Sequence, residues 1–286
     1  GELTLTQLNP GIIVPEWPGN LSGQVPLKVS QKNKQLAVEL ESLRLSGTLR
    51  QKPLAIEAKL RTQAEDVWID TLKANSGDSQ MSLNGQLQND ILDIDWTLSS
   101  PDLQDLYPGL QGQLSGEGEL TGSVEQPRIL AEINGQALAF ETTKVETLSG
   151  NIDVSLQTNA NINSHILVTG LMLSDQLINR IELAVQGKQQ SHQIQLNVDS
   201  NMINLDLAAD GQLNKEIWTG QFSQFSFGNE QAGVWQLREK GELQLSAQQQ
   251  DIPRHCWQSE KGNLCLAAIH SQEQWQVSGE FADLPL

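Results

Sequence analysis

Two cysteines near the end of the sequence are its clearest candidates for covalent chemistry. Cys256 and Cys265 flank eight residues of strand-like character, and a tight turn between them places the two side chains opposite each other. Cross-strand Cβ atoms lie about 4.5–5.5 Å apart, slightly long but within reach of a disulfide. Two other interpretations are a pair of free buried thiols and half of a metal site completed by His255 and His270. The hairpin geometry favours the disulfide, which predicts an oxidising compartment, the periplasm or the cell exterior.

Carboxylates and glycines elsewhere do not form a recognisable catalytic or phosphate-binding motif. Asp93 and Asp95 are two residues apart, and such positions on a strand share one face, which we interpret as the solvent face. Gly116, Gly118 and Gly122 come nearest to a phosphate loop, but their spacing is wrong and no helix follows. We interpret them as structural glycines of β-hairpins.

Histidine and tryptophan complete the set of chemically versatile residues. His165 and His192 occupy polar positions of alternating segments, without an acidic or nucleophilic partner in the sequence. Seven tryptophans are scattered along the chain, and we expect them to close sheet edges or pack under irregular segments, with a glycan-binding face as the alternative. The sequence therefore predicts no catalytic residues, no metal site, no cofactor and no enzyme activity.

The charge balance excludes one large class of partners. The 286 residues include 35 Asp and Glu against 18 Lys and Arg, a formal net charge of −17. Phosphate binding needs clustered Lys and Arg, so we expect no nucleic acid partner and no attachment to an anionic membrane surface. Only 19% of residues are charged and 38% are hydrophobic. This mixture is typical of a polar, mostly uncharged face opposite a modest apolar one.

The positions of the apolar residues show the elements that carry these groups. Apolar side chains alternate with polar ones at a period of two, as in Leu92 to Leu98, and turn clusters separate such segments every 10 to 12 residues. This pattern predicts an all-β protein, an antiparallel meander of roughly 25 strands with one apolar face.

An open sheet of that size cannot leave its apolar face in water. A sandwich, a closed barrel or a curled trough would solve the problem, and the mainly aliphatic face favours the trough. We therefore predict an elongated, curled antiparallel sheet forming a U-shaped groove with an apolar interior. The predicted groove residues are Leu36, Val38, Leu40, Leu92, Ile94, Trp96, Leu98, Ile152, Val154, Leu156, Leu183, Val185, Ile194, Leu196, Val198, Ile203, Leu205 and Leu207.

Irregular segments rich in Pro and Gly interrupt the alternation. Residues 10–23 and 102–116 have the same shape, and residues 281–286 look like a truncated third copy. Each is predicted to leave the sheet as a short helical or irregular excursion and then to re-enter it. We therefore divide the chain into groove segments 1–101 and 102–280, which continue one sheet, and a truncated start at 281–286.

Four stretches in colinear order resemble the TamB family of the AsmA-like superfamily. They are the Trp17 excursion after Gly-Glu-Leu-Thr-Leu, Leu103 to Gly112, Gly122 to Pro127, and His255 to Cys265. The resemblance covers essentially all residues and places them in a middle stretch of the family's chain. It implies a long periplasmic β-groove, called a β-taco, between an N-terminal inner-membrane anchor and a C-terminal region that meets the outer-membrane partner TamA, both outside this sequence.

Family resemblance also implies a function. Members are thought to carry phospholipids between the inner and outer membranes, and acyl chains would then occupy the groove residues. The alternative is a scaffold or chaperone that templates outer-membrane proteins and autotransporters with TamA, through an exposed strand edge. A third interpretation is a solid-cored β-sandwich or β-helix of a surface protein.

Overall fold

The computed structural model describes residues 1–32, 35–157, 159–214, 217–238, 241–271 and 274–282. The chain divides into two compact units, Gly1–Glu141 and Thr142–Leu286. The predicted segment boundaries after residues 101 and 280 fall inside these units and stay predictions. No helix in the described part of the chain has the length and hydropathy of a membrane span.

The described residues of unit 1 form a meander of nine strands, each paired antiparallel with the next. The strands are β1 (Glu2–Leu8), β2 (Gly19–Lys32), β3 (Gln35–Leu49), β4 (Lys52–Gln63), β5 (Asp66–Ser76), β6 (Ser79–Gln88), β7 (Ile91–Ser100), β8 (Gln111–Ser123) and β9 (Pro127–Phe140). Register shifts recur at neighbouring positions in the four successive strand pairs from β2 to β6, at Gln24/Leu27, Leu40/Leu43, Lys59/Leu60 and Ile69/Leu72. Bulges bend strands and increase twist, so this sheet is curled.

Unit 2 begins as a similar meander and then branches. Its strands are β10 (Thr143–Ser155), β11 (Asn161–Leu173), β12 (Gln176–Lys188), β13 (Ser191–Ser200), β14 (Asn204–Asn214), β15 (Ile217–Asn229), β16 (Gly233–Leu237), β17 (Glu242–Leu245), β18 (Gln249–Ser259), β19 (Gly262–Ser271) and β20 (Gln274–Ala282). Strands β16 and β17 both pair with β15 on one side and with β18 on the other. Together they occupy the place of one long strand in the ladder, since β16 ends at Leu237 and β17 begins at Glu242.

Strand β7 shows how the sequence pattern produces this fold. Its even-numbered residues from Leu92 to Leu98 are half-buried, whereas its odd-numbered residues from Ile91 to Ser99 are exposed. Alternate side chains of a strand point to opposite faces, so a period of two forms one apolar and one polar face. The all-β, curled antiparallel prediction is confirmed. The described residues form twenty strands rather than about 25, because most strands run for 10–15 residues.

Two excursions leave the sheet of unit 1 at the same edge, which here means the end of the strands at which β3 turns into β4 and β5 into β6. The first excursion (residues 9–18) follows β1 and the second excursion (residues 101–110) follows β7, and each contains one short 3₁₀ turn. Asn9 and Asp102 precede these turns in equivalent positions. Their side chains accept hydrogen bonds from the backbone N–H of Gly11 at 3.0 Å and of Gln104 at 3.1 Å, respectively. The first two predicted excursions are therefore present, with the same N-terminal cap. Of the third copy predicted at 281–286, residues 281–282 belong to β20 and residues 283–286 lie outside the described residues.

Candidate functional site

The apolar face of unit 1 is built from rows of side chains that cross the strands. Each row takes one residue from each successive strand, directly opposite its neighbours in the ladder. Two rows are Leu40–Leu60–Ile69–Gly85–Ile94–Leu120–Ile129 and Leu43–Ala58–Leu72–Leu83–Trp96–Gly118–Ala131. The ladder thus brings residues of β3 and β7, predicted separately from the sequence, onto one face.

Glycines in β8 make room for Trp96 on this face. A Cβ atom added to Gly116 would lie 3.2 Å from Cη2 of Trp96, and one added to Gly118 would lie 2.9 Å from Nε1. Gly116 and Gly118 lie inside strand β8 of the β8–β9 hairpin and form the surface under this ring, so their interpretation as structural hairpin glycines is confirmed. Trp218 lies across Gly211 and Gly220 of unit 2 in the same way.

A buried carboxylate fixes the second excursion to the edge of the unit 1 sheet. Asp105 is only 3% exposed. Its carboxylate accepts a hydrogen bond from the backbone N–H of Asp78 at 2.8 Å and pairs with Nζ of Lys52 at 2.8 Å. Burial opposes the ionisation of Asp105, but the Lys52 ammonium and the Asp78 N–H outweigh it, and the pKa of Asp105 lies below its usual value. Gly77 packs directly against this carboxylate.

Arg50, in the turn after β3, connects the two excursions. Its guanidinium lies 4.5 Å from the ring centroid of Trp17 in the first excursion. The same group donates hydrogen bonds to the main-chain oxygens of Asp105 at 3.0 Å and Leu106 at 2.7 Å in the second. Stacking and charge-assisted hydrogen bonds therefore hold both excursions at one edge. Nothing in the sequence indicated this connection.

Unit 2 has an apolar face of the same design on β10–β15. Its rows include Leu148–Val168–Ile181–Val198–Leu205–Phe227–Trp235, Gly150–Ile166–Leu183–Leu196–Leu207–Phe225 and Ser164–Val185–Ile194–Ala209–Phe222. The members of these rows on β11–β14 are mostly half-buried aliphatic residues. At β15 each of these three rows changes to an aromatic residue.

These aromatic residues form the core of unit 2. The aromatic cluster consists of Phe222, Phe225, Phe227, Trp235, His255 and Trp257. Trp235 and Trp257 are 9% and 5% exposed, and the ring centroids of Phe225 and Trp257 lie 5.2 Å apart in edge-to-face geometry. The expectation of a mainly aliphatic inner face is therefore wrong for β15–β18, because aromatic side chains of these strands pack against one another.

The two cysteines lie beside this cluster. Cys256 of β18 and Cys265 of β19 are directly opposite in the ladder and joined by a disulfide bond, on either side of a Glu260–Lys261 turn. His255 is fully buried, and its Nδ1–H donates to the main-chain oxygen of Pro253. Among the described residues, no group of three or more His, Cys, Asp or Glu is arranged to hold a metal ion.

The remaining candidates for chemistry have structural partners. Asp95 accepts a hydrogen bond from the Asn84 amide at 3.1 Å on the exposed face, as expected of a solvent-facing carboxylate. Nε2 of His165 lies 2.7 Å from Oε1 of Glu182, whose side chain is half-buried. The polar position predicted for His192 is wrong: this residue is 8% exposed, shares the face of Ile194, and its Nε2 accepts the Trp218 indole N–H at 2.8 Å.

The structure places most predicted groove residues within strands, on the apolar face of their own unit. Leu36, Leu156 and Ile203 stand apart from this group. Leu36 belongs to β3 but is 56% exposed, Leu156 follows the end of β10, and Ile203 precedes β14 and is 44% exposed. Strand ends have fewer neighbours to shield a side chain, and periodicity alone does not show where a strand ends.

These features define a class of protein: antiparallel meanders with a polar outer face and an apolar inner face crossed by rows of aliphatic side chains. The family model described as "TamB, N-terminal domain" matches residues 1–286, and the chain belongs to the TamB family. The family expected from the sequence is thus confirmed. The matching model is described as an N-terminal domain, so the match does not support placement in a middle stretch.

One curated relative and the solved structures complete the comparison. The translocation and assembly module subunit TamB of Haemophilus influenzae is 23% identical over 290 residues, which cover 97% of this chain. The match covers 22% of that protein's length, so this chain spans roughly a fifth of its relative. No solved structure matches the chain.

Proposed function

We propose that this chain is a periplasmic part of a protein that conducts phospholipids between the inner and outer membranes. Acyl chains lie on the apolar faces of the two units, and headgroups stay in water. The observation that carries the proposal is the continuation of aliphatic rows from strand to strand, as in Leu183–Leu196–Leu207. Membership of the TamB family supports a role in the cell envelope.

The chemistry of these faces suits a mobile apolar ligand. Burial of acyl groups is non-directional and contributes about 0.8 kcal/mol for each CH₂, wherever on the face it occurs. Successive rows present similar surfaces, so movement from one row to the next exchanges equivalent contacts. The row residues carry no charged side chains.

The proposal also covers the rest of the parent protein. An N-terminal segment outside this chain anchors it in the inner membrane, and a region outside this chain meets TamA in the outer membrane. The Cys256–Cys265 disulfide supports an oxidising compartment such as the periplasm. No catalytic step, cofactor or nucleic acid is part of the mechanism.

Two adjacent positions on β13 provide the test. Leu196 is half-buried on the apolar face between Leu183 and Leu207, whereas Gln195 is exposed on the opposite face. Leu196→Arg places a charge among acyl chains, and Gln195→Arg adds the same charge where water solvates it. Native mass spectrometry of the purified chain should show bound phospholipid for the wild type and Gln195→Arg, and a strong decrease for Leu196→Arg. A wild-type chain without phospholipid, or equal loading of both variants, would contradict the proposal.

Strand β20 supports a second candidate function, scaffolding of outer-membrane proteins together with TamA. All nine of its residues are exposed, and Trp275, Val277 and Phe281 are 57%, 68% and 63% exposed. Within the described residues β20 pairs only with β19, and a scaffold would add the strand of an outer-membrane protein to its other edge by main-chain pairing. Photo-crosslinkers at Leu196 and at Gln276 of β20 separate the functions. Lipid adducts at Leu196 support transport, and polypeptide adducts at Gln276 support scaffolding.

A further inference from the structure

Among the described residues, the two most exposed large apolar side chains are neighbours in the first excursion. Ile12 and Ile13 are 83% and 85% exposed, and the next residue, Val14, is 45% exposed. We call these three residues the apolar tip. Single apolar side chains are common at protein surfaces, whereas exposed apolar residues in succession mark a contact surface. The apolar tip lies outside the aliphatic rows and needs an explanation of its own.

Hydrogen bonds within the first excursion hold the backbone of the apolar tip in one shape. The side-chain oxygen of Asn9 accepts from the backbone N–H groups of Gly11 and Gly19, both at 3.0 Å, and so joins the two ends of the excursion. The N–H of Ile13 donates to the main-chain oxygen of Pro10 at 2.9 Å. A backbone that is already ordered loses little conformational entropy when it binds. The apolar tip is therefore presented to a partner in advance.

Aromatic residues of both excursions accompany the apolar tip at this edge of unit 1. The ring of Trp17 is half-buried and lies 4.5 Å from the guanidinium of Arg50. Tyr107 of the second excursion is 40% exposed, and its ring centroid lies 6.2 Å from that of Phe140, which is also 40% exposed. Trp, Tyr and Arg favour the headgroup level of a bilayer, whereas aliphatic side chains favour the hydrocarbon beneath it. The edge therefore combines the residue types found at a membrane–water interface.

Charge and shape indicate which partner fits the apolar tip. Glu16 is the only charged residue from Asn9 to Gly19, and the whole chain carries a net charge of −17. An anionic surface would repel such a chain, whereas a zwitterionic bilayer has no net charge. A protein partner would need a pocket shaped for two projecting isoleucines, but burial in hydrocarbon is non-directional and needs no such match.

We propose that the first excursion is a contact site for the surface of a zwitterionic phospholipid bilayer. Ile12 and Ile13 enter the outer margin of the hydrocarbon, and Trp17 and Tyr107 lie at the level of the headgroups. The contact brings this edge of unit 1 to a membrane surface. This inference goes beyond the proposed lipid function and does not depend on it, because the tip and the aliphatic rows are different surfaces.

Flotation with phosphatidylcholine vesicles tests this contact. The 286-residue chain is mixed with increasing amounts of vesicles and centrifuged through a sucrose gradient, and the floating fraction gives the partition coefficient. Ile12→Gln combined with Ile13→Gln should lower this coefficient by about tenfold or more, since burial of one isoleucine side chain changes an equilibrium by at least that factor. Both side chains are exposed, so the exchange should leave the fold intact. Vesicles that contain phosphatidylglycerol should bind the wild type more weakly, because the chain is anionic.

The other end of the unit 1 strands provides a matched control. Ile91 and Val124 are 51% and 52% exposed there, at the start of β7 and in the turn after β8. Ile91→Gln combined with Val124→Gln removes a similar apolar surface and should float as the wild type does. Both cysteines of the sequence form the disulfide, so Ile13→Cys supplies a single thiol for a nitrobenzoxadiazole label. Vesicles should shift the emission of this label to shorter wavelength and leave that of a label at Val124→Cys unchanged.

Leu196→Arg separates this inference from the lipid function. This variant should lose bound phospholipid in native mass spectrometry and still float with the vesicles, whereas loss of flotation would show that the apolar face of unit 2 makes the contact. A wild-type chain that does not float, or that floats no better than the Ile12 and Ile13 variant, would overturn the bilayer contact. A wild-type dimer that does not float, together with a monomeric Ile12 and Ile13 variant, would assign the apolar tip to a second copy of the chain instead.

Discussion

Gly77→Ala tests whether the Asp105 carboxylate really fixes the second excursion to the sheet edge. Gly77 has φ +58°, in the left-handed region. A Cβ atom added there would lie 2.3 Å from Cγ of Asp105 and 2.4 Å from each of its carboxylate oxygens. That carboxylate is buried and hydrogen-bonded, so it cannot move aside without losing the N–H of Asp78.

Two terms contribute to the expected destabilisation. The left-handed conformation costs an alanine about 1–2 kcal/mol. Loss of the charge-assisted hydrogen bond between Asp105 and Asp78 costs about 1.5–3 kcal/mol. We therefore expect Gly77→Ala to lower the free energy of unfolding by about 2.5–5 kcal/mol. Gly109→Ala is the control: φ is +84°, but the nearest atom is a Phe140 ring carbon at 3.7 Å, so only the backbone term of about 1–2 kcal/mol applies.

Urea denaturation followed by tryptophan fluorescence measures the free energy of unfolding of both variants. Gly77→Ala is also measured in a chain that carries Asp105→Ala. With the carboxylate removed, Gly77→Ala should cost no more than Gly109→Ala, which is the coupling expected of groups in contact. The explanation fails if Gly77→Ala and Gly109→Ala cost the same in the wild type. It also fails if the cost of Gly77→Ala is unchanged when Asp105 is absent.

Three further predictions concern other parts of the two units. Replacing Cys256 and Cys265 with serine should destabilise the folded state by about 2.7 kcal/mol, the chain-entropy value for a loop of this length. A reductant should leave the stability of the serine variant unchanged. Equal stability of the wild type and the serine variant would contradict the prediction. Folding lowers the pKa of Asp105, so the ionised carboxylate stabilises the folded state fully above the unfolded pKa of about 3.9, and this stabilisation disappears as the pH falls through the lower folded pKa. Below about pH 5, the urea midpoint should therefore fall less steeply with decreasing pH for Asp105→Asn than for the wild type. Parallel plots of midpoint against pH would argue against this prediction. Gly118→Ala should destabilise unit 1 by about 1–3 kcal/mol and change the fluorescence of Trp96, because the added Cβ would lie 2.3 Å from the main-chain oxygen of Leu130 and 2.9 Å from Nε1 of Trp96. Gly150→Ala is the control: its added Cβ would lie 3.7 Å from Cγ1 of Ile166, so the free energy of unfolding should hardly change.

The sequence predicted the strands and their faces because alternation is a local property. In β7, each residue from Leu92 to Leu98 occupies the face that its polarity indicated. The cysteine pair was predictable for the same reason, since a short turn determines which residues stand opposite each other. Capping by Asp102 also depends on neighbours within two residues. Features that depend on a few adjacent residues can be read from a single sequence.

The sequence did not show features that depend on which distant strands are neighbours. Asp105 is an ordinary acid in the sequence, and only the fold places it 2.8 Å from Lys52, more than fifty positions earlier. The spacing of Gly116 and Gly118 gave no sign of Trp96 until the register between β7 and β8 was known. The aromatic cluster likewise unites β15, β16 and β18, whose tryptophans are scattered in the sequence.

The position of the buried polar groups links the edge of unit 1 to its apolar face. Ser79, Ser100 and Asp105 are buried at the edge that carries the excursions, where Ser79 and Ser100 hydroxyls lie 2.7 Å apart. An open apolar face has no second layer to hold its strands in place, so stiffness has to come from groups that do not occupy the face. Hydrogen bonds and ion pairs at the edge supply it without bringing a charge among the aliphatic rows. A charge on the face and a defect at the edge should therefore have different signatures. If the proposed lipid function holds, Leu196→Arg on the face of unit 2 should reduce lipid binding without unfolding the chain, whereas Gly77→Ala at the edge of unit 1 should reduce stability while the rows of that unit stay apolar.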